Sequence, residues 1–189
     1  MHPLPEKLKD KKLQEELRAY AGGIVAVSHY TQKQLLLSSG QPAEHAYFIQ
    51  EGFARGFYYD EPSGRDITVF LWDELSVALA ANSFFRRQPS DMHIEVMPGS
   101  TLLSLTYGQL AAIFELFPAT EVLARLLILQ YSAFHKQRTH DLLTRSAWER
   151  YQNLLQTHPR IEQKVSQDTL ASYLGITPWS LSRLKKQHR

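Results

Sequence analysis

The chain of 189 residues contains no cysteine. This absence excludes disulfide bonds, thiolate zinc sites, cysteine-ligated iron–sulfur clusters and cysteine nucleophiles. The eight histidines are scattered, and His135 and His140 are five residues apart, which places them on different faces of a helix. The sequence has no nucleophile motif and no glycine-rich phosphate loop. We therefore expect a protein that is not an enzyme and has no catalytic residue, metal or other cofactor.

Long apolar runs are also missing. Runs such as Leu-Leu-Ile-Leu at 126–129 fall far short of the roughly 18 residues of a membrane helix. The first residues lack the apolar core of a signal peptide. With 43% hydrophobic and 21% charged residues, the composition is that of a globular protein. We expect a soluble, cytoplasmic protein without a membrane partner.

Charge is unevenly distributed along the chain, although the formal net charge is only +2. Residues 137–189 contain nine Lys or Arg and four Asp or Glu, whereas residues 1–136 contain twelve basic and fifteen acidic residues. Four of the last seven residues are basic and none is acidic. This pattern indicates a nucleic-acid contact near the C-terminus, and a solvated lysine-rich end is the alternative.

Short apolar runs separated by turn residues occupy the region from about residue 30 to residue 105. The runs lie at 35–37, 47–49, 53–59, 67–71, 94–97 and 102–105. Their spacing of about ten residues, with glycine at the corners, is typical of a β-sandwich or barrel. Between the runs, residues 73–87 are expected to be helical or irregular.

Helical patterns flank this region. An amphipathic helix is expected at 5–21, and Thr106 is a suitable N-cap for a short helix at 107–115. A long helix follows over about 119–140, with an apolar stripe formed by Val122, Leu126, Leu129 and Ala133. At about 30 Å, this helix is longer than a small β domain must cover. We expect the stripe to form a homodimer interface, and packing across the barrel is the alternative.

The last 25 residues have the pattern of a helix-turn-helix. Ser166 is a suitable cap for a helix at 167–174, and Gly175 allows a left-handed turn. Thr177 and the following proline then begin a second helix. Upstream, Ser146 and a glutamate three residues later have the spacing of a capping box for a preceding helix.

The second of these helices carries the residues that we expect to bind DNA. They are Thr177, Trp179, Ser180, Ser182, Arg183, Lys185 and Lys186. Arg183 can pair bidentately with guanine in the major groove, whereas the lysines contact phosphates and position the helix. We expect Trp179 to pack on a thymine methyl group; in the alternative interpretation, it covers the turn or fills a contact between domains.

With these motifs in this order, the chain resembles the Crp/Fnr family of bacterial transcription regulators over roughly residues 20–189. Residues 40–52 resemble the family's β-roll, in which a glycine turn precedes a Tyr-Phe-Ile strand and a second glycine. Residues 170–186 resemble the family's DNA-reading element. The resemblance implies a homodimer that binds a palindromic operator in double-stranded DNA and contacts RNA polymerase.

The fold that the resemblance implies belongs to the α+β class. An N-terminal β-roll, the jelly roll of cyclic-nucleotide-binding domains, has flanking helices and spans residues 1–117. A long dimerisation helix spans 118–141, and a C-terminal winged helix-turn-helix spans 142–189.

The sensor site of the family is altered in this chain. Cyclic-nucleotide-binding members have a glycine–glutamate pair before a short helix, followed by an Arg-Ser/Thr-Ala run. Here residues 73–78 contain no glycine, and Pro89 stands where the phosphate-binding arginine would be. We therefore expect no productive cAMP binding. The residues that correspond to an effector site, for an unknown small molecule, are Glu74, Ser76, Arg86, Arg87, Ser90 and Ser132.

Together these patterns predict a homodimeric, sequence-specific DNA-binding transcription regulator whose sensor domain does not bind cAMP. The alternative is a ligand-binding module whose helix-turn-helix contacts a protein instead of DNA.

Overall fold

The computed structural model describes residues 10–188 of the chain. The strands in this range are β1 (Ala26–Tyr30), β2 (Gln34–Leu37), β3 (His45–Glu51), β4 (Ala54–Asp60), β5 (Arg65–Trp72), β6 (Val77–Ala78), β7 (His93–Val96) and β8 (Ser100–Thr106). The helices in the same range are α1 (Lys11–Ile24), α2 (Ala81–Arg86), α3 (Tyr107–Leu116), α4 (Glu121–Thr144), α5 (Ala147–Thr157), α6 (Ile161–Lys164), α7 (Gln167–Leu174) and α8 (Pro178–Gln187). A 3₁₀ turn at Pro118–Thr120 separates α3 from α4. Within this range, no helix is long and apolar enough to cross a bilayer.

The strands form two four-stranded antiparallel sheets, in the orders β1-β8-β3-β6 and β2-β7-β4-β5. Apolar side chains from both sheets form one core, which includes Leu37, Ile49, Phe70, Trp72, Phe84, Ile94, Val96 and Leu102. Burial of these side chains is the main force that holds the sheets together. The arrangement confirms the predicted β domain, and β5 is an edge strand of the second sheet.

Two glycines are required by the close packing of this domain. Gly52 has a φ of +94°, and a Cβ atom there would lie 2.2 Å from Oγ of Ser100. Gly56, in β4, passes so close to the core that a Cβ atom would lie 2.3 Å from Cε of Met92. A larger residue at either position would displace a buried neighbour.

The predicted strands all form, with ends within two residues of the expected ones. Two further strands were not predicted. β1 has the sequence Ala-Val-Ser-His-Tyr, which lacks a clear apolar alternation, and β6 has only two residues. At the N-terminus, the described helix α1 begins at Lys11 and ends at Ile24, three residues later than expected, and the expected helical residues 5–9 lie outside the described residues.

The predicted wing has no counterpart in the described residues. From Tyr107 to His188 the structure contains helices and connections but no strand. Between α5 and α7, the apolar residues Ile161 and Val165 are four apart, which favours a helical turn over a strand. The short helix α6 forms there instead. The expectation of a wing, which came from the resemblance alone, is therefore corrected for this part of the chain.

Candidate nucleic-acid interface

α7 and α8 form a helix-turn-helix whose shape follows from local sequence signals. The Ser166 hydroxyl accepts a hydrogen bond from the Thr169 N–H at 3.2 Å and so caps α7. Gly175 adopts a left-handed φ of +67° and ends this helix. The Thr177 hydroxyl accepts a bond from the Ser180 N–H at 3.1 Å and caps α8. The caps and the turn predicted from the sequence are thus confirmed.

One side of the helix pair is buried. Leu170, Ala171 and Leu174 of α7 and Leu181 of α8 are each at most 2% exposed. The small side chain of Ala171 allows α7 to be packed tightly within this core. Because Leu181 anchors α8 inward, the opposite side of α8 faces solvent.

The outward side of α8 combines an aromatic ring with cations. Trp179, Arg183 and Lys186 follow one another at helical spacing and are all exposed, with Trp179 at 67%. The guanidinium carbon of Arg183 lies 4.8 Å from the centroid of the Trp179 ring. Trp179 therefore does not cover the turn, and its ring and the two charges form one surface that we call the α8 outer face.

The other residues expected on this surface are placed differently. Thr177 is used as a cap, and Ser180 and Ser182 are half-buried. Lys185 points to the other side of α8, where it forms an ion pair with Glu162 of α6 and lies 5.3 Å from the Tyr151 ring centroid. The Lys185 ammonium group is thus held against α5 and α6, and its expected role as a phosphate contact stays a prediction.

The helix-turn-helix is packed directly against the β domain. Phe53, Leu71 and Met97 of the sheets share a buried cluster with Tyr151, Leu154, Ile161, Leu170, Ala171, Leu174 and Leu181 of the C-terminal helices. A continuous apolar core resists rotation of one part against the other. The position of α8 therefore depends on contacts with the β domain as well as on its own turn.

Two polar side chains reinforce this packing at β5. Ser172 of α7 donates a hydrogen bond to the Asp66 carbonyl at 2.6 Å and accepts one from the Thr68 N–H at 2.8 Å. Arg138 of α4 donates to the Thr68 carbonyl at 3.1 Å and to the Tyr173 carbonyl at 2.8 Å. Burial lowers the pKa of the Arg138 guanidinium, although the adjacent Tyr173 opposes this shift.

A second polar contact joins the β5–β6 loop to the C-terminal helices. Lys164 pairs with Glu74 at 3.0 Å and donates to the Gly52 carbonyl at 3.3 Å. The hydrogen bond and the charge of Lys164 lower the pKa of Glu74. His158 lies 3.7 Å from Asp73, and its burial lowers the pKa of the imidazole. The Lys164–Glu74 ion pair adds an electrostatic link between the two parts of the molecule.

α4 has two different faces. Leu127, Tyr131 and Phe134 pack against the core of the β domain. The Tyr131 hydroxyl donates to the carbonyls of Val77 and Leu79 at 3.0 and 3.1 Å, and burial raises the pKa of this phenol far above its ordinary value.

The other face of α4 carries the stripe expected to form a dimer interface. Val122 and Leu126 are half-buried, while Leu129 is 62% exposed and Ala133 is also exposed. The stripe does not pack across the β domain, because the face with Leu127 and Phe134 performs that role. An apolar row of this kind is what a partner helix would cover.

The residues expected at an effector site are not brought together. Glu74 pairs with Lys164, and the Ser76 hydroxyl donates to Asp73 at 3.1 Å. Arg87, by contrast, pairs with Glu44 at 2.7 Å and lies 5.4 Å from the Tyr107 ring centroid.

The remaining three expected residues do not complete a site. The buried Ser90 hydroxyl bonds to the backbone of Met92, and Arg86 and Ser132 are exposed on α2 and α4. The six expected effector residues therefore contact different partners and do not line one common site.

Aromatic side chains occupy the space between the second sheet and α4. Phe70 stacks on Trp72, with ring centroids 5.0 Å apart, and on Phe134, at 5.3 Å. Two cavities, of about 950 and 370 Å³, lie elsewhere, and neither is lined by an α4 residue or by any expected effector residue. No group of three or more His, Asp or Glu side chains among residues 10–188 is suited to hold a metal ion.

Sequence reasoning missed the roles of Arg138 and Ser172. Arg138 was counted only as part of the basic C-terminal segment, and Ser172 was not distinguished from other helix residues. Their partners are backbone groups of β5, about 70 and 105 residues away in the chain. No short-range sequence signal reports such contacts, because they depend on how α7 lies against the sheet.

No protein-family model matches the chain, and no curated protein matches it in sequence. Solved structures do match it over most of its length. The c-di-GMP-responsive global regulator CLP of Xanthomonas campestris is 16% identical with a TM-score of 0.71, and the match covers 94% of this chain and 91% of CLP. FixK2 of Bradyrhizobium japonicum is 18% identical with a TM-score of 0.74, over 87% of this chain and 84% of FixK2.

A protein of Eubacterium rectale that is described as a Crp/Fnr-family transcriptional regulator is also similar. It is 15% identical with a TM-score of 0.72, and the match covers 91% of this chain and 82% of that protein. The likeness therefore extends through the β domain, the long helix and the C-terminal helices. The chain has the fold of the Crp/Fnr transcription regulators.

Proposed function

We propose that this chain is a homodimeric, sequence-specific DNA-binding transcription regulator of the Crp/Fnr type. The observation that carries the proposal is the α8 outer face, where Trp179, Arg183 and Lys186 are exposed together on the second helix of a helix-turn-helix. A helix of this kind enters the major groove with its N-terminal part toward the bases. Neither cation on this face has a carboxylate partner among the ion pairs of the described residues.

Each exposed side chain has a distinct expected role. Arg183 presents a planar guanidinium that matches O6 and N7 of guanine and therefore specifies a base. Lys186, nearer the end of α8, provides a point charge for a phosphate and therefore positions the helix. Trp179 supplies an apolar surface for a thymine methyl group.

In the proposed homodimer, the stripe on α4 is where the second copy packs. Val122, Leu126, Leu129 and Ala133 follow the four-three-four spacing of a helical seam. A symmetric pair would present two α8 helices to two half-sites, separated by one or more turns of about 34–36 Å each. A palindromic operator follows from this symmetry.

We do not expect cAMP to control this regulator. Trp72, Phe70 and Phe134 already fill the space between the sheet and α4, and Glu74 is engaged by Lys164. An effector of this regulator would be an unknown small molecule other than cAMP. As a transcription regulator, the protein would act in the cytoplasm and contact RNA polymerase there.

Selection of bound sequences from a pool of random duplexes tests the proposal. At physiological salt, the wild-type protein is expected to enrich a palindromic sequence and to bind it at least about a thousandfold more tightly than random duplex. Equal affinity for selected and random duplexes would overturn the proposal.

Lys186→Glu distinguishes DNA binding from the alternative of a protein-contacting helix-turn-helix. Lys186 is exposed and makes no contribution to the core, so the variant should fold normally. It should lose binding to every duplex, because a carboxylate would face the phosphates. Lys12→Glu on α1, also an exposed position, is the matched control and should bind as the wild type does.

A further inference from the structure

Among residues 10–188, no strand lies next to the outer edge of β5, because β5 ends the order β2-β7-β4-β5. Backbone groups along such an edge need other partners. Ser172 supplies two of them, since its hydroxyl donates to the Asp66 carbonyl at 2.6 Å and accepts from the Thr68 N–H at 2.8 Å. The Ser172 hydroxyl thus satisfies two backbone groups of β5 that a neighbouring strand would otherwise satisfy.

Arg138 closes the same edge from α4. Its guanidinium donates to the carbonyls of Thr68 and Tyr173, and it lies 4.0 Å from the Tyr173 ring centroid. Both hydrogen-bond acceptors are backbone carbonyls, whose directions are fixed by β5 and α7. The two hydrogen bonds of the charged Arg138 side chain therefore hold β5 and α7 in one relative orientation.

Three elements meet at this point, and each has a separate task in a DNA-binding dimer. α4 carries the stripe at which a second copy would pack, β5 belongs to the rigid β domain, and α7 is followed by the turn at Gly175 and then by α8. Together with the shared apolar core, the contacts of Ser172 and Arg138 thus fix where α8 lies relative to α4, and hence relative to the axis between two copies.

We propose that Ser172 and Arg138 are positioning residues that set the half-site spacing at which the dimer binds DNA, while leaving the choice of bases to α8. This inference rests on the proposed function. It assigns spacing and base choice to different residues, so that the two properties can be separated by mutation.

The test uses the full chain and duplexes that carry two selected half-sites with the spacer lengthened or shortened by one or two base pairs. One base pair moves a half-site by about 3.4 Å and turns it by about 35°. Wild-type affinity is therefore expected to fall about tenfold for a change of one base pair. We call this loss of affinity the spacing penalty. In Ser172→Ala and in Arg138→Met it should be less than about threefold, and the base preference within a half-site should be unchanged.

Four further variants make the result specific. Ser28→Ala, on β1 in the other sheet, and Arg18→Met, exposed on α1, are matched controls that should retain the wild-type spacing penalty. Arg183→Ala should show the reverse pattern, with relaxed base preference and a retained spacing penalty. Arg138→Lys keeps the positive charge but has one donor nitrogen in place of the guanidinium. Its spacing penalty should lie between those of the wild type and Arg138→Met.

Amide hydrogen exchange gives a readout that does not depend on DNA. The Thr68 amide should exchange faster in Ser172→Ala than in the wild type, while amides within β4 and β7 should be unchanged. A full spacing penalty in both Ser172→Ala and Arg138→Met would overturn the inference and leave the proposed function intact. Failure of the wild-type protein to select any duplex would overturn both.

Discussion

Arg183 lies with its guanidinium carbon 4.8 Å from the centroid of the Trp179 ring, one helical turn earlier on α8. Because the ring is 67% exposed, this contact is formed at the surface and is worth about 0.5–1 kcal/mol. It holds the Arg183 guanidinium beside the Trp179 ring on the α8 outer face. A side chain that is already ordered loses less entropy on binding.

Trp179→Ala is expected to weaken binding to a selected duplex by about two- to fivefold, because Arg183 is no longer ordered by the ring. Binding should weaken more than this if the ring also contacts a base. The melting temperature should stay unchanged, because the ring contributes little to the core. Fluorescence anisotropy with labelled duplex and a thermal melt measure the two effects. Unchanged affinity would show that the ring does not order Arg183.

Arg183→Ala and Lys186→Ala are expected to differ in kind. Arg183→Ala should weaken the free energy of binding to the selected site by about 1–3 kcal/mol and relax the preference at one base of each half-site. The second should weaken all sequences alike and reduce the salt dependence of binding by about one phosphate contact per copy. Titrations at several salt concentrations, on selected and scrambled duplexes, separate the two. Identical behaviour of the variants would contradict the separate roles.

Leu129→Glu is expected to convert the proposed dimer into a folded monomer. Leu129 is 62% exposed in one copy, so its replacement should not disturb the fold, whereas two carboxylates would face each other in the seam. Sedimentation and circular dichroism measure assembly and folding. Leu116→Glu, 58% exposed at the end of α3, is the matched control and should remain dimeric. A dimeric Leu129→Glu protein would place the interface elsewhere.

Stability is expected to decrease as the pH falls through about 6.5, the ordinary pKa of histidine. Burial lowers the pKa of His158 in the folded protein, with Asp73 opposing and Lys164 assisting the shift. In this pH range the unfolded chain binds a proton that the folded chain resists, so protonation favours unfolding. Urea denaturation at pH 7.5 and pH 5.5 measures the effect.

His158→Gln should show a smaller loss of unfolding free energy than the wild type over the same pH change, because it lacks the titrating ring. His29→Gln, on the exposed β1 strand, serves as the comparison and should retain the wild-type pH dependence. A pH dependence that is unaltered in His158→Gln would assign the effect to another group.

Short-range signals made much of the fold predictable. The N-cap at Thr106, the capping box of Ser146 and Glu149, and the left-handed glycine between α7 and α8 depend on residues a few positions apart. Their conformations are therefore decided locally. The burial of Leu181 and the exposure of Arg183 likewise follow from helical spacing once the turn is in place.

Contacts between distant segments were not predictable in the same way. Lys185 was expected to face DNA, but the tertiary position of α6 gives it Glu162 as a partner. Glu74 was expected near an effector, but the docking of the C-terminal helices gives it Lys164. In both cases the charge is visible in the sequence, and its partner is fixed only by packing.

The covered edge of β5 also affects how the molecule can be divided. A fragment that ends at residue 117 would lack Arg138 and Ser172 and would leave the backbone of Asp66 and Thr68 open to solvent. It would also expose Phe53, Leu71 and Met97. Unpaired strand edges beside an apolar patch recruit other chains, so such a fragment would tend to aggregate. Truncation experiments on this protein should therefore retain the C-terminal helices.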